Sequence, residues 1–274
     1  MEYHEIAPGE KIPKIGIGTW GMGGKQIEDH RWDTENITVI RMAIDLGLTH
    51  IDTAEYYGAG HCEELVGEAI ESYNRESLFI TTKVWRTNLH HDNLIKSMRA
   101  SLRRLNQDYV DLYLIHWPNY QIPIKETMEA LEQCAQEGYT RYIGVSNFSA
   151  NLIQEAQTHL KEHYLIANQT EYSLLEQKPK TNLLPYLRET KRTLIAYSPL
   201  ARGILPNYEN QKLAELAKKY EKSKTQVALN WLTSQQNVVT IPKSSNPIHI
   251  LEFMDSTGWA MKHEDRIELA NSFI

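Results

Sequence analysis

The sequence predicts an α/β fold, a (β/α)8 barrel with an N-terminal β-hairpin, formed by residues 1–274 as a single domain. Short apolar segments alternate with longer segments of helical periodicity, and this alternation repeats eight times from residue 14 onwards. The short segments are apolar almost throughout, as parallel strands covered on both faces are. The length of 274 residues is close to the roughly 250 of such barrels.

The individual elements follow from turn residues and hydrophobic periodicity. A turn sequence at residues 7–10 separates the two strands of the hairpin. Thr34 is expected to cap the first helix and Gly47 to end it. The barrel strands are predicted at residues 14–19, 49–52, 78–84, 110–115, 142–145, 166–169, 193–197 and 238–241. The helices are predicted near residues 34–46, 62–72, 92–105, 125–137, 150–160, 182–190, 210–220, 224–235, 247–254 and 263–272.

Composition excludes several classes of protein. A net charge of −6 argues against nucleic acid as a partner, because phosphate binding needs a basic face. Cys62 and Cys134 make neither a disulfide framework nor a CxxC pair, which favours a reducing compartment. Residues 1–14 lack the apolar run of a signal peptide, and no uncharged apolar segment is long enough to span a membrane. We therefore expect a cytoplasmic protein with no membrane partner.

Ionisable side chains stand at the ends of three successive predicted strands. Asp52 ends the second strand and is followed by Tyr57, Lys83 lies near the end of the third, and His116 follows the fourth. Active sites of this fold lie at the C-terminal ends of the strands. A buried charge is costly without a partner, and Asp52 and Lys83 would provide one for each other. We therefore predict that the four side chains form one polar cluster.

Such a cluster is suited to carbonyl reduction, which needs a hydride and a proton for the developing alkoxide. Tyr57 could give the proton if its pKa is lowered towards neutrality, an effect that a nearby ammonium group promotes. Asp52 would hold Lys83 in place, and His116 would orient the carbonyl by a hydrogen bond. Each residue alone has an ordinary explanation, such as a surface tyrosine or a core histidine. Their coincidence at three strand ends favours a site.

Two other motifs have simpler interpretations. Residues 16–21 read GIGTWG and match the dinucleotide-binding pattern, but that pattern requires a helix that begins within the glycines. The next helical periodicity begins only near Thr34, so we interpret these residues as a loop after the first strand. His159 and His163 could share a metal ion, but no acidic or cysteine partner is evident. We interpret them as a solvated helix face and expect no metal site.

From residue 16 to about residue 252 the chain resembles the aldo-keto reductase family. The resembling segments follow the family's order and read DTAEYYG at 52–58, LIHWP at 114–118, GVSNF at 144–148, NQ at 168–169, AYSPL at 196–200 and IPKS at 241–244. The resemblance implies NADPH-dependent reduction of a small aldehyde or ketone without a metal, with Tyr57 as the proton donor. It also favours a monomer over an oligomer.

The resemblance also implies binding roles for individual residues. The implied cofactor-binding residues are Ser146, Asn147, Gln169, Tyr197, Ser198, Leu200, Gly203, Lys243, Ser244, His249 and Glu252. The implied aromatic walls of a substrate pocket are Trp20, Tyr56, Trp85 and Trp117. The chain departs from the family at His249, where an arginine often binds the 2′-phosphate of NADP, and at Phe253, where asparagine is frequent. We therefore expect NADP, with NAD as a possible second cofactor.

The substrate and the activity itself leave alternatives open. The segment after Phe253 is short, so we expect an open pocket that accepts varied substrates. One alternative to a reductase is a lyase or aldolase that forms a Schiff base on Lys83. The other is a cofactor-binding regulatory subunit with little turnover.

Overall fold

A computed structural model describes residues 1–273 of the chain. Its centre is an eight-stranded parallel sheet in which each strand pairs with the next along the chain. The first and last strands are joined as well, because the Gly16 amide donates to the Thr240 carbonyl at 2.8 Å and the Gly18 amide to the Pro242 carbonyl at 3.0 Å. The sheet is therefore closed, which confirms the predicted barrel.

Every barrel strand is followed by at least one helix within residues 1–273. The hairpin strands are β1 (Tyr3–Ala7) and β2 (Glu10–Pro13). The barrel strands are β3 (Ile17–Gly18), β4 (His50–Asp52), β5 (Phe79–Val84), β6 (Val110–Ile115), β7 (Thr140–Ser146), β8 (Leu165–Glu171), β9 (Thr193–Tyr197) and β10 (Val238–Thr240). The helices are α1 (Asp33–Asp45), α2 (His61–Ile70), α3 (His91–Leu105), α4 (Ile124–Gln136), α5 (Ala150–Thr158), α6 (Leu183–Glu189), α7 (Gln211–Lys219), α8 (Lys224–Thr233), α9 (Pro247–Met254) and α10 (His263–Asn271).

The predicted elements are all present, with small differences at their ends. Strand β3 is shorter than predicted, and Ile15 before it pairs with Thr240 only as an isolated bridge. Helix α1 begins at Asp33, so Trp32 and not Thr34 occupies its N-cap position. Gly47 follows the helix with a φ of 93°, as the predicted glycine stop requires. No helix in residues 1–273 combines the length and the apolarity that crossing a bilayer would need.

The interior of the barrel is apolar at its N-terminal end, which the hairpin covers. Ile6 and Ile12 of the hairpin belong to one buried cluster with Phe79, Leu112 and Leu114 of the barrel strands. Alternate residues of a strand face the same side. The interior-facing positions of β5 therefore begin with Phe79 at this end and reach a charged residue near the other end. The hairpin therefore closes one end and leaves the other for a site.

The barrel interior changes from apolar to charged along its axis. In the middle layer, His50 Nε2 of β4 lies 3.1 Å from Thr81 Oγ1 of β5. In the next layer of the same two strands, Asp52 faces Lys83. The two ionised groups thus lie at the C-terminal ends of the strands, where the fold places active sites.

Candidate active site

The polar cluster predicted at the strand ends is present. Lys83 Nζ lies 2.6 Å from Asp52 Oδ1, donates to the Thr53 carbonyl at 2.8 Å and donates to Tyr57 Oη at 3.2 Å. Gln169 Nε2 donates to the other carboxylate oxygen of Asp52 at 2.7 Å. Lys83 is fully buried, and Asp52 and Tyr57 are less than a tenth exposed. Both carboxylate oxygens of Asp52 and the ammonium group of Lys83 therefore have hydrogen-bond partners that fix their positions.

The local chain path after β4 brings Tyr57 to this pair. Tyr57 begins a short 3-10 segment that ends at Gly60. Gly58 in this segment has a φ of 56°, and a side chain there would collide with the Gly23 carbonyl. Its amide donates to the Lys25 carbonyl at 2.9 Å. Glycine is thus needed at position 58 so that the loop after β3, which contains Gly23 and Lys25, can pack against the segment that carries Tyr57.

The electrostatics of the cluster correct one expectation from the sequence. Burial raises the pKa of Asp52, opposed by Lys83 and Gln169, and burial lowers the pKa of Lys83, opposed by Asp52. The pKa of Tyr57 is raised well above its ordinary value by burial and then by Asp52 and Cys62. The expectation that this pKa is lowered towards neutrality is wrong, because burial and the Asp52 charge outweigh the ammonium group of Lys83, which lies 3.2 Å from Tyr57 Oη. The Tyr57 phenol therefore keeps its proton at neutral pH.

His116 follows β6 and lies beside the phenol. Its amide donates to the Val84 carbonyl at 3.0 Å, and its ring is 5.6 Å from the Tyr57 ring at an angle of 75°. Burial, and then the Lys83 charge, lower the pKa of His116 well below its ordinary value. Within residues 1–273 its Nδ1 is buried without a hydrogen-bond partner. A neutral imidazole of this kind carries one ring proton and can donate one hydrogen bond.

A cavity of about 1080 Å³ opens beside the cluster at the C-terminal ends of the strands. Asp52, Tyr57 and His116 line it, whereas Lys83 lies behind them. The predicted cofactor-binding residues that line it are Ser146, Asn147, Gln169, Tyr197, Ser198, Leu200, Gly203, Lys243, His249 and Glu252. Its volume slightly exceeds the roughly 300–1,000 Å³ of small-molecule sites. The cavity has room for more than a small substrate.

Side chains at the ends of β7 and β9 meet at one part of this cavity. Asn147 Nδ2 donates to the His116 carbonyl and to Ser146 Oγ, each at 3.0 Å, and its Oδ1 accepts from Tyr197 Oη at 2.9 Å. Asn147 has a φ of 62°, an uncommon backbone conformation for a residue other than glycine. These contacts connect Tyr197 to the strand end that carries His116.

The far part of the cavity is more exposed, and one predicted residue does not line it. Ser244 is buried behind the wall, where its Oγ lies 2.9 Å from His249 Nδ1 and accepts from the Asn246 amide at 3.0 Å. His249 is exposed and lines the cavity. Lys243 is also exposed, and its Nζ donates to Ser245 Oγ at 2.8 Å. Ser244 therefore orients His249 in this structure.

The four predicted aromatic residues, Trp20, Tyr56, Trp85 and Trp117, all line the cavity. Tyr56 and Trp85 stack with ring centroids 3.8 Å apart and an angle of 11°. Trp85 also meets His116 edge-on at 5.1 Å, and Trp20 meets Tyr57 edge-on at 4.8 Å. The aromatic rings thus form flat walls on both sides of the phenol and the imidazole.

Three cationic residues line the cavity that sequence reasoning missed, namely Lys25, Arg202 and Lys224. Arg202 follows the AYSPL segment with a φ of 56°. Lys224 begins α8 directly after Ser223, which caps that helix, and its Nζ donates to the Tyr208 carbonyl at 3.0 Å. None of the three residues lies at the end of a strand. The expectation that polar residues at strand ends form the site therefore did not include them.

Comparison with known proteins identifies the family. The Aldo/keto reductase family profile matches residues 14–265, so the chain belongs to this family of oxidoreductases. It is 38% identical to methylglyoxal reductase YeaE of Escherichia coli (strain K12), over 87% of this chain and 83% of the relative. The crystal structure of the thermostable aldo-keto reductase Tm1743 with the inhibitor epalrestat is 41% identical, with a TM-score of 0.94 over 99% of this chain and 100% of that one. An aldo/keto reductase from Klebsiella pneumoniae with NADP and acetate is 30% identical, with a TM-score of 0.87 over 96% and 92% of the two chains.

The family resemblance seen in the sequence is thus confirmed, and with it the expectation of a nicotinamide dinucleotide, since aldo-keto reductases use NAD(P)H. The residues of the cavity are compatible with such a cofactor. The amide groups of Asn147 and Gln169 lie near the phenol at one end, and the cations of Lys243 and Arg202 line the cavity elsewhere. Amide groups suit a nicotinamide carboxamide, and cations suit its phosphates.

Proposed function

We propose that this protein reduces aldehydes or ketones to alcohols with NADPH and that Tyr57 gives the proton. The observation that carries the proposal is the contact of Tyr57 Oη with the fully buried Lys83, which Asp52 neutralises. This contact lies at the wall of a cavity lined by ten of the residues expected to hold the cofactor. Family membership and the NADP in the Klebsiella pneumoniae structure support the same activity.

We assign a part of the reaction to each residue. NADPH, when bound, supplies the hydride that the carbonyl carbon accepts. Tyr57 holds its proton at neutral pH and transfers it to the carbonyl oxygen as negative charge develops there. Lys83 lies 3.2 Å from Tyr57 Oη and stabilises the phenolate that remains, while Asp52 keeps Lys83 in position. Neutral His116 donates a hydrogen bond to the same carbonyl oxygen and orients it.

Short aldehydes with a second carbonyl group are the substrates that we propose first. The relative in Escherichia coli is named a methylglyoxal reductase and is 38% identical. Trp20 and Trp85 pack edge-on against Tyr57 and His116, which are both buried, and the low local dielectric strengthens the hydrogen bonds of these two residues. For the cofactor, Lys243, Arg202 and Lys224 provide positive charge for the extra phosphate of NADPH. His249 does not supply the fixed charge of an arginine, so we expect measurable use of NADH as well.

The alternative of a Schiff base on Lys83 fits the geometry poorly. Lys83 Nζ is fully buried behind the cavity wall and has three partners, the side chains of Asp52 and Tyr57 and the Thr53 carbonyl. A nucleophilic amine must be uncharged and reach the carbonyl carbon, and this would require both side chains to move away. A regulatory subunit without turnover has no specific support, because the four side chains of a complete proton-donating site are present.

The substitution Tyr57→Phe tests the proposal because it removes one oxygen atom and keeps the ring. We expect the rate of methylglyoxal reduction to fall by about 10²–10⁴-fold, the contribution of a general acid. Binding of NADPH should be unchanged, as measured by quenching of the tryptophans that line the cavity. Tyr120→Phe is the matched control, because Tyr120 is 84% exposed and does not line the cavity. A Tyr57→Phe protein as active as the wild type would refute the assignment of the proton donor, and a wild-type protein that bound neither NADPH nor NADH would refute the reductase.

A further inference from the structure

Outside the proposed active site, two histidines and an aspartate form a compact cluster. Asp33 begins α1, His30 lies in the turn before it, and His61 begins α2. One atom from each residue that could bind a metal ion lies within 4.8 Å of the other two. His61 Nε2 is 3.0 Å from both oxygens of Asp33, and His30 Nδ1 is 3.1 Å from Asp33 Oδ2. The three side chains therefore face one another.

A second carboxylate holds the opposite nitrogen of each imidazole ring. His61 Nδ1 lies 2.8 Å from Glu64 Oε2, and His30 Nε2 lies 3.4 Å from Glu28 Oε2. Histidines that bind metals commonly make this contact, because a carboxylate on the far nitrogen fixes the ring and makes the near nitrogen a better ligand. Both rings therefore direct their remaining nitrogen towards Asp33.

The spacing and the chemistry of these atoms suit a transition metal. In a tetrahedral zinc site with bonds of about 2.0–2.1 Å, neighbouring ligand atoms are roughly 3.3 Å apart. The separations of 3.0 and 3.1 Å between Asp33 and the two rings are close to that value. Two imidazoles and a carboxylate favour Zn²⁺ and related ions over Mg²⁺ and Ca²⁺, which prefer oxygen ligands. We propose that His30, Asp33 and His61 bind a Zn²⁺-like divalent ion, with water completing its coordination.

A bound ion would connect two segments that also contact each other beside the cavity. The Gly58 amide donates to the Lys25 carbonyl at 2.9 Å, next to Tyr57. At Gly23 a side chain would come within 2.9 Å of His61 Cδ2, so the first loop packs directly on this histidine. The ion thus fastens the loop of residues 23–33 to the segment that carries Tyr57. The site does not depend on the proposed reductase activity.

The two histidines considered from the sequence, His159 and His163, are poorly placed to share a metal ion. His159 caps the end of α5, and His163 lies in the loop beyond it, so they do not share a helix face. His163 Nδ1 lies 3.5 Å from Glu132 Oε1, and this carboxylate already accepts three backbone amides. The cluster of Asp33 and His61 was missed because 28 residues separate the two in sequence.

Titration of the metal-free protein with Zn²⁺ tests the proposal. Isothermal titration calorimetry should show one strong site per chain, and Co²⁺ in its place should give the intense visible absorption of a four-coordinate ion. His30→Ala should weaken Zn²⁺ binding at least about 100-fold, and it leaves the fold intact because the His30 side chain is 61% exposed. Zn²⁺ should raise the melting temperature of the wild type but not of His30→Ala. His159→Ala is the matched control and should bind Zn²⁺ like the wild type.

Two outcomes would overturn the metal site. Equal Zn²⁺ affinity in the wild type and His30→Ala would place the binding elsewhere, and the absence of stoichiometric binding would leave the cluster as ion pairs alone. Tyr57→Phe separates this result from the reductase proposal. It should bind Zn²⁺ like the wild type whether or not it reduces a carbonyl.

Discussion

Buried charges occur at both ends of the barrel strands, but their surroundings differ. At the N-terminal end, the fully buried Asp111 contacts Arg141 Nη1 at 2.8 Å and Arg75 Nη2 at 2.7 Å. The Ile80 amide donates to the same carboxylate at 2.8 Å. Arg141 also contacts Glu10 of the hairpin. Each polar group of Asp111 thus has a partner, and the hairpin lies over this end.

At the C-terminal end, polar groups remain available to a ligand. Asp52 and Lys83 contact each other, but Tyr57 and His116 line the cavity, where a ligand can reach them. Polar side chains at the wall of a cavity are typical of positions kept for a ligand and not for stability. The comparison indicates that the charges at one end stabilise the fold, whereas those at the other end adjoin the cavity where we propose the chemistry.

Lys83→Met should have the largest effect, because it acts on both stability and chemistry. It removes the contact that stabilises the Tyr57 phenolate, so carbonyl reduction should fall at least about 100-fold. It also leaves Asp52 buried without a countercharge, at a cost of about 3–5 kcal/mol in the free energy of unfolding. Urea denaturation and steady-state kinetics measure the two effects.

The double variant Asp52→Asn/Lys83→Met is the control for this prediction. It removes both charges, so stability should recover while activity stays low. The exposed Lys180→Met should change neither quantity. Recovery of activity in the double variant would contradict the proposed role of Lys83.

Asp111→Asn tests the opposite end and should change stability alone. The loss of the carboxylate leaves Arg75 and Arg141 without their shared partner, at a cost of about 3 kcal/mol. The kcat of the folded enzyme should stay within twofold of the wild type. Asp108→Asn, at an exposed carboxylate before the same strand, is the control. A fall in kcat without a loss of stability would show that the two ends are not separate in function.

Because of His50, in the middle layer of the barrel interior, we expect the free energy of unfolding to depend on pH. Burial, and then the Lys83 charge, lower the pKa of His50 to about 3, whereas an unfolded histidine titrates near 6.5. Between about pH 3 and pH 6.5 only the unfolded chain binds this proton, so the stabilisation is present above pH 6.5 and is lost as the pH falls towards 3. Relative to His50→Asn, the wild type should lose about 2 kcal/mol between pH 7 and pH 5, measured by urea denaturation at each pH. Parallel profiles for the two proteins would contradict a neutral His50 in the fold.

The sequence predicted the barrel and its polar centre because both depend on local patterns. Buried parallel strands are continuous apolar runs, so a charged residue at the end of such a run stands out, as Asp52 and Lys83 do. His116 was found in the same way, from its position directly after a strand. The order of the strands around the barrel then brought the three together without further information.

What the sequence could not predict depends on contacts between distant loops. Arg202 lines the cavity because its loop adopts a positive φ, and nothing in its neighbours required that path. The sequence predicted which groups surround Tyr57. It could not predict the distance of 2.6 Å between Lys83 Nζ and Asp52 Oδ1. Burial, and then the charge of Asp52, explain why the pKa of the phenol is raised and not lowered.

The smallest expected effect is a change in cofactor preference. It tests the exposed part of the cavity separately from its buried centre. His249→Arg places a permanent cation beside Lys243 in the cavity wall, where it can contact the extra phosphate of NADPH. The ratio of NADH to NADPH dissociation constants should rise about tenfold, measured by tryptophan quenching, with kcat unchanged because the polar cluster is untouched. The gain should shrink at high salt, since the site is exposed and the Debye length falls to about 3 Å at 1 M. His159→Arg controls for the added charge, and an equal change in both affinities would show that residue 249 does not contact the phosphate.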